Sequence, residues 1–310
     1  MITTITLNAS IDKAYYIDGP AENGHVMRVK KVINTAGGKG LNVARSVLRC
    51  GAQVQATGFC GGFNGRYLED MLDKDGVKNC FVHVKAETRS CINILDEKYG
   101  STEYLEPGEA VDSDEIDDFL DLYNKILIES NVITISGSMP KGVPGDFYGK
   151  LIEKAKDHDK KILLDTSGAT LKNSIPFKPT MIKPNQEELE AILERKLDTR
   201  EKLIDAAVEL QATGIEFVAI SLGGDGALLV CAEGVYHGMP PKIEVVNTVG
   251  CGDSMVGAFA VAFERGDAPE EALRFAIAVA SSNAMSAATG DVNMEIASKL
   301  MKDTVVEKIR

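Results

Sequence analysis

The chain has no tryptophan and only 6% aromatic residues, so it lacks the stacking platforms on which single-stranded nucleic acid is held. It also lacks an excess of positive charge: 34 Lys and Arg stand against 46 Asp and Glu, a net charge of −12. Neither nucleic acid nor an anionic membrane surface is therefore expected as a partner. A few local cations still suffice to hold a small phosphorylated ligand. The six cysteines (Cys50, Cys60, Cys80, Cys91, Cys231 and Cys251) form no C-x-x-C pair and the four histidines no H-x-x-x-H pair. That spacing supports neither structural zinc nor a disulfide framework, and free thiols in a reducing cytoplasm are the simpler account. The longest apolar run, Met255 to Phe263, falls far short of the ~20 residues a membrane helix needs. The amino end opens directly in the strand-like Met1 to Leu7, so no secretory leader is expected.

What the chain does have is size and rhythm. Its 310 residues, 44% hydrophobic and 26% charged, allow a large core of ordinary soluble type. Beyond Pro107, strand and helix patterns alternate regularly, as in an α/β fold with a parallel sheet. The sequence predicts helices near 112–129, 144–157, 252–266, 269–288 and 294–308, with the charged Lys302 to Arg310 as a solvated helix end. Polar or glycine-rich tips follow strand after strand, and one crevice along the carboxyl edge of a single sheet would collect them. Two segments break the alternation: an extended stretch at 24–34, and a β-hairpin of Arg89 to Leu95 with Ser101 to Leu105. Together they predict a small accessory sheet.

The stretch Asn247 to Ala260 organises the rest. It follows a β-like run, Ile243 to Val246, and opens a long apolar helix. Gly250 and Gly252 remove side chains where main-chain amides must converge on an anion or a developing charge. Asp253 beside them is odd for anion binding alone, because it would repel the ligand. It suits a base that takes a proton from an attacking hydroxyl, but Asp is also a common helix cap, and the stretch alone leaves both open. Asp12, after the first strand, can accept hydrogen bonds from substrate hydroxyls or close an Asx turn. Ala36 to Arg45 is a glycine-rich turn into a helix; it fits neither a Walker loop nor a dinucleotide fingerprint. Its Asn42 offers donor and acceptor together. Arg89 can grip a phosphate bidentately or lie solvated on its strand. Asn185 and Glu188, three apart at a helix start, suit a hydrated Mg²⁺ or a solvated acidic run. Ser221 to Gly226 reads as a nucleotide loop or a plain glycine turn.

Taken in order, these features resemble the two signatures of the ribokinase-like (phosphofructokinase B) carbohydrate kinases. Gly37-Gly38-Lys39-Gly40-Leu41-Asn42 with Gly58 and Gly61 matches the first, and Asn247 to Ala260 the second. Ser136 to Pro140, Asn185-x-x-Glu188 and Ser221 to Gly226 lie between them in family order, so the resemblance covers nearly the whole chain. It implies one domain over 1–310: a three-layer α/β/α core with a mainly parallel sheet, and a β-sheet lid from about 11–35 and 87–106. It implies ATP and Mg²⁺, with Asp253 as general base and Gly250, Cys251 and Gly252 as the anion hole. Asp12, Gly38 and Asn42 would hold sugar hydroxyls, with Ser138 in the same site. Lys183, Asn185, Ser221, Gly223, Gly226 and Asn283 would serve the nucleotide, and Asn185 and Glu188 the Mg²⁺ through water. A homodimer formed through the lid is also expected.

Three stretches bear on the acceptor: Glu87 to Asn93, Thr102 to Gly108 and Asp165 to Leu171. They resemble the branch acting on phosphorylated ketohexoses, and tagatose-6-phosphate kinases more than 1-phosphofructokinases. There Lys39, Arg89 and Arg28 would hold the phosphate already on the sugar. Glu103 stands where the minor 6-phosphofructokinases carry a second lid Arg, which counts against fructose 6-phosphate. The expected reaction is phosphorylation of D-tagatose 6-phosphate to the 1,6-bisphosphate. Fructose 1-phosphate is the rival acceptor, and a non-catalytic sugar-phosphate sensor is the alternative from another class.

Overall fold

Strand β1 (Ile2–Thr6) is buried at every position, as a strand covered on both faces must be. The computed structural model describes residues 1–310. From β1 the chain leaves the main sheet to form β2 (Ser10–Tyr16) and β3 (Lys31–Gly37), then returns through α1 (Lys39–Arg49) to β4 (Val54–Gly61). Helix α2 (Gly62–Asp75) leads to the short β5 (Lys78–Asn79) and β6 (Val82–Val84), and a second excursion makes β7 (Arg89–Asp96) and β8 (Gly100–Leu105). Regular alternation follows: α3 (Ser113–Glu129), β9 (Val132–Ser136), α4 (Phe147–Asp157), β10 (Lys161–Asp165), α5 (Gly168–Ser174), β11 (Met181–Ile182) and α6 (Gln186–Leu193). Helix α7 (Arg200–Ala212) precedes three successive strands, β12 (Phe217–Ser221), β13 (Ala227–Cys231) and β14 (Gly234–Met239). Helices α8 (Cys251–Arg265), α9 (Pro269–Ala284) and α10 (Met294–Asp303) and strand β15 (Val305–Lys308) complete the chain.

Eleven strands form one sheet in the order β15-β14-β13-β12-β11-β10-β9-β1-β4-β5, with β6 beside β4. It is parallel from β12 to β5 and antiparallel from β12 outward to β15. Each face is closed by a separate core. Leu41 and Val47 of α1, Val256 and Phe259 of α8 and Leu273 of α9 cover one side. Phe119 and Tyr123 of α3, Tyr148 of α4 and Leu210 of α7 cover the other. The result is a three-layer α/β/α core. Truncating a fully buried ring such as Phe259 to Ala would cost about 3–5 kcal/mol. Strands β3, β2, β7 and β8 form the separate small sheet, in that order.

Because β1 lies between β9 and β4, the chain departs from it in both directions, and the carboxyl ends of β1 and β9 flank a topological switch point. Open α/β sheets bind ligands there.

Some expectations fail for identifiable reasons. Ile243 to Val246 is no strand: Val245 and Val246 are exposed, and the Val246 and Asn247 amides donate to the carbonyl of Ala284 at the end of α9 (2.8 and 3.1 Å). The last helix stops at Asp303, not 308, and the tail is no solvated helix end. Val305 to Lys308 pairs antiparallel with β14, where β-branched Val305 and Val306 suit a strand. In the extended stretch at 24–34, only the part from Lys31 onward is strand.

Candidate active site

The glycines at the first turn of α8 let the backbone close up. Gly250 holds φ at +80°, and a Cβ there would come within 2.3 Å of Thr289 Cγ2. Any side chain would meet both backbone strain and that methyl group. The amides of Gly252 and Asp253 find no acceptor in the chain, so they face outward at the positive end of the helix. The Cys251 amide donates to Thr248 O (3.3 Å). The Gly250 amide is likewise without an acceptor, so of the expected anion-hole residues Gly250 and Gly252 keep open amides, joined by Asp253, while the Cys251 amide is engaged.

Asp253 is buried, 7% exposed, and its Oδ2 accepts a 2.8 Å hydrogen bond from Asn42 Nδ2 on α1. Burial, and next the negative charge of Asp165, push its carboxyl up to about 6, against the opposing pull of Asn42, Lys39 and Lys183. A carboxylate with that affinity for protons is ionised at neutral pH yet accepts a proton more readily than a solvated one. Asn42 is itself held: Arg45 Nη1 donates to its Oδ1 (3.0 Å) while Arg45 Nε pairs with Asp75 (2.8 Å). That contact turns the Asn42 amide nitrogen toward Asp253.

Asp165 ends β10 at 2% exposure, with Lys183 Nζ 3.4 Å from Oδ1 and Lys39 Nζ 3.9 Å from Oδ2. Neither oxygen accepts a well-formed hydrogen bond. Asp165 is the leading cause that raises the Lys39 ammonium above its ordinary range, with burial opposing and Asp253 and Glu188 adding to it. Lys183 lies against α8: a Cβ on Gly252 would sit 3.3 Å from its Nζ. Lys39, placed by resemblance at the sugar phosphate, thus directs its ammonium toward Asp165.

Around the switch point, Asn8 Nδ2 donates to Ser138 Oγ (3.2 Å). Arg89 donates from Nε and Nη2 to Asn8 O (3.2 and 3.0 Å) and from Nη1 to Glu106 O (2.7 Å). Arg89 and Ser138 therefore meet at one rim, and the guanidinium keeps two N–H donors beyond those three bonds. Asp12 lies in β2, not in a turn. Its Oδ1 accepts from Ser10 Oγ (2.6 Å), and burial raises its carboxyl. Gly37, which pairs with Ser10 on β2, leaves room for this carboxylate, since a Cβ there would overlap Asp12 Oδ1. Gly38 caps α1. Arg28 is exposed in the loop between β2 and β3.

Beyond the ends of β11 and β12, Ser221, Leu222, Gly224 and Asp225 border a cavity of about 1060 Å³ that also touches Asn185 and His237. Gly223 and Gly226 form the tight turn between β12 and β13. Asn185 and Glu188 form a reciprocal capping box: Glu188 N donates to Asn185 Oδ1 (2.8 Å) and Asn185 N to Glu188 Oε2 (2.9 Å). That commits the Asn185 oxygen and leaves Glu188 Oε1 free. Asn283, expected to serve the nucleotide, is fully enclosed; its Nδ2 donates to Val249 O (3.0 Å) and its Oδ1 accepts from Gly290 N (2.8 Å), which fixes the loop ahead of α8.

The sequence model of the pfkB family carbohydrate kinases matches residues 5–296. The chain belongs to that family. Among solved structures, phosphofructokinase-2 from Escherichia coli in complex with fructose-6-phosphate is 29% identical, covering 97% of this chain and 98% of its own, with a TM-score of 0.89. A possible 1-phosphofructokinase from Thermotoga maritima is 26% identical over 100% of both chains, with a TM-score of 0.90. Arabidopsis thaliana ribokinase, at 21% identity and a TM-score of 0.79 over 97% of this chain and 98% of its own, shares the fold. As a pfkB-family carbohydrate kinase, the protein is a phosphotransferase with a sugar hydroxyl as acceptor. Asp165 and Arg45 are the residues of this site that sequence reasoning did not assign. Asp165 had a signal, a buried strand ending in a carboxylate within a stretch already singled out; Arg45 had none beyond its place one turn after Asn42.

Proposed function

We propose that this kinase transfers the γ-phosphoryl of ATP to a hydroxyl of a phosphorylated ketohexose, with D-tagatose 6-phosphate, phosphorylated at C1, as the preferred acceptor. The observation that carries the transfer chemistry is the buried Asp253 carboxylate, raised to about 6 and steadied by Asn42, beside the two unengaged amides of α8. Asp253 takes the hydroxyl proton as the oxygen attacks phosphorus, and the Gly252 and Asp253 amides meet the charge that builds on the transferring group. The spare donors of Arg89 at the Asn8–Ser138 rim suit an acceptor that already carries a phosphate.

Glu188 is the residue that fits magnesium: its Oε1 stays outside the capping box with Asn185 and is a hard oxygen ligand of the kind Mg²⁺ prefers, whereas the Asp165 oxygens face Lys183 and Lys39. When bound, Mg²⁺ would neutralise charge on the nucleotide phosphates. The small sheet acts as the lid that excludes water on closure, and its exposed Val32, Ile33, Tyr104 and Leu105 leave apolar surface for a second copy to cover in a homodimer. A cytoplasmic setting suits the six unpaired cysteines.

Fructose 1-phosphate, phosphorylated at C6, is the second reading, supported by the full-length similarity to the possible 1-phosphofructokinase. The two acceptors differ in configuration at C4 and in which end carries the phosphate, so the end presented to Asp253, C1 or C6, separates them. The deciding experiment measures kcat/KM for tagatose 6-phosphate, fructose 1-phosphate, fructose 6-phosphate, ribose and adenosine. A preference for an unphosphorylated acceptor would overturn the assignment. No turnover with any of them, together with binding of a sugar phosphate, would indicate the sensor.

A further inference from the structure

A cysteine, a glutamate and a histidine converge at the β4–β6 edge, outside the group around Asp253. Cys60 on β4 and His83 on β6 are register partners in a parallel ladder, so their side chains leave the same face of the sheet. Glu69 on α2 reaches over that face. His83 Nε2 lies 3.0 and 2.9 Å from the two Glu69 oxygens. A ligand atom from each of the three residues lies within 4.8 Å of the other two.

We propose that Cys60, Glu69 and His83 bind one zinc-class divalent cation that clamps α2 to the sheet edge. Thiolate, imidazole and carboxylate together are a donor set for Zn²⁺, harder than an all-thiolate site and softer than the oxygen cages of Mg²⁺ or Ca²⁺. Tetrahedral bonds of about 2.0–2.3 Å place ligand atoms roughly 3.3–3.8 Å apart. From their present spacing within 4.8 Å, the three ligand atoms need to draw in by about an ångström at most, with Glu69 giving up one of its contacts to His83. The thiol proton leaves to solvent as the sulfur–metal bond forms. Thiolate and carboxylate then balance the two charges of the ion. His83 is exposed, with 67% of its side chain accessible, so solvent supplies the fourth ligand and the ion has a path in. No spacing motif announces the site, because its ligands come from three separate elements.

The clamp would act where α2 supports the small sheet. Two residues before Glu69, Tyr67 Oη accepts from Asn34 Nδ2 on β3 (3.3 Å). At its first turn, α2 is capped by Glu87, which accepts from the Phe63 and Asn64 amides (3.2 and 2.5 Å) and lies two residues before Arg89.

The test is a titration of the full-length protein with Co²⁺ as a spectroscopic probe, followed by displacement with Zn²⁺. One equivalent should bind with a thiolate-to-cobalt charge-transfer band, and Zn²⁺ should raise the melting temperature. His83→Gln and Cys60→Ser should each abolish the band and weaken Zn²⁺ binding by at least about 100-fold, beyond the loss typical of an outer-shell change. His83 is exposed, so His83→Gln keeps the test sound if the buried Cys60 substitution fails to fold. A band that survives Cys60→Ser would place the thiolate at another cysteine, and Zn²⁺ binding unchanged by His83→Gln would remove the imidazole from the site; either would overturn the proposal. So would Co²⁺ binding without a thiolate band, or no binding by the wild type.

Discussion

Asp253→Asn should separate activity from stability in opposite directions. The Asp253 carboxyl is raised from 3.8 to about 6, chiefly by burial, so the folded protein holds that proton more tightly than the unfolded chain does. Below about pH 3.8 the group is protonated in both states and costs nothing. As pH rises through 6 the folded state must carry a buried charge, and stability is lost. About two units at 1.36 kcal/mol each gives roughly 3 kcal/mol of cost at pH 7 and above. An Asn there keeps the hydrogen bond from Asn42 Nδ2, since its carbonyl oxygen also accepts, and carries no charge. The variant should therefore be more stable than the wild type by about 2–3 kcal/mol at pH 8, with the gap closing toward pH 4. Phosphoryl transfer should fall by roughly 10²–10⁴ with sugar binding largely kept. Denaturant midpoints at pH 8 and pH 4, with kcat and KM for both proteins, test this. A variant less stable at pH 8, or a stability difference that ignores pH, would refute the electrostatic account. Undiminished turnover would remove Asp253 from its role as base.

The wild-type profile of kcat/KM should rise through a limb near pH 6. Asp165→Asn should move that limb down by up to about one unit by removing a like charge, whereas Asn42→Ala should move it up by removing a stabilising hydrogen bond; pH–rate curves read both. Gly250→Ala should destabilise by about 1–3 kcal/mol, because φ is +80° and the added methyl meets Thr289; a denaturation midpoint within error of wild type would contradict it. Arg89→Ala should raise KM for the ketohexose phosphate by about 10–100-fold, the loss expected for a hydrogen bond to a charged group, with KM for ATP little changed. An equal rise in both would point to collapse of the Asn8–Glu106 rim.

The parallel half of the fold is legible because each strand there is a short apolar run whose end is marked by a polar or glycine-rich tip. Strand β15 is not, because Val305 and Val306 continue a helical sequence and their partner β14 lies far back in the chain. The glycine turns at Gly38 and Gly250 stand out because backbone geometry demands glycine, and sequence records such a demand directly. Charge pairing is recorded only through distance in space. Asp165, Lys39 and Lys183 sit on three separate segments, and nothing in their spacing says that one carboxylate lies between both ammonium groups. The same holds for Asn283, an unremarkable helix residue until its amide is seen holding two loops.

The charges around α8 also bear on why a base and an anion site can share one pocket. Lys39 and Lys183 bring two positive charges and Asp165 and Asp253 two negative ones, all within one partly or fully buried group. Before transfer these side chains sum to zero, so the cluster can be dry without an isolated ion. Once Asp253 takes the acceptor's proton the sum becomes +1, facing the unengaged Gly252 and Asp253 amides as negative charge shifts across the transferring phosphoryl group. The pocket is then better matched to the charge distribution of the transition state than to that of the ground state, which is the condition for electrostatic catalysis. Asp165 is what makes that balance hold, since without it the two ammonium groups would drive Asp253 toward a weak, fully ionised carboxylate. Asp165→Asn should therefore lower kcat even at a pH where Asp253 is wholly ionised, and single-turnover rates at pH 8 should show the loss. A rate equal to wild type there would limit Asp165 to setting the titration of its neighbour.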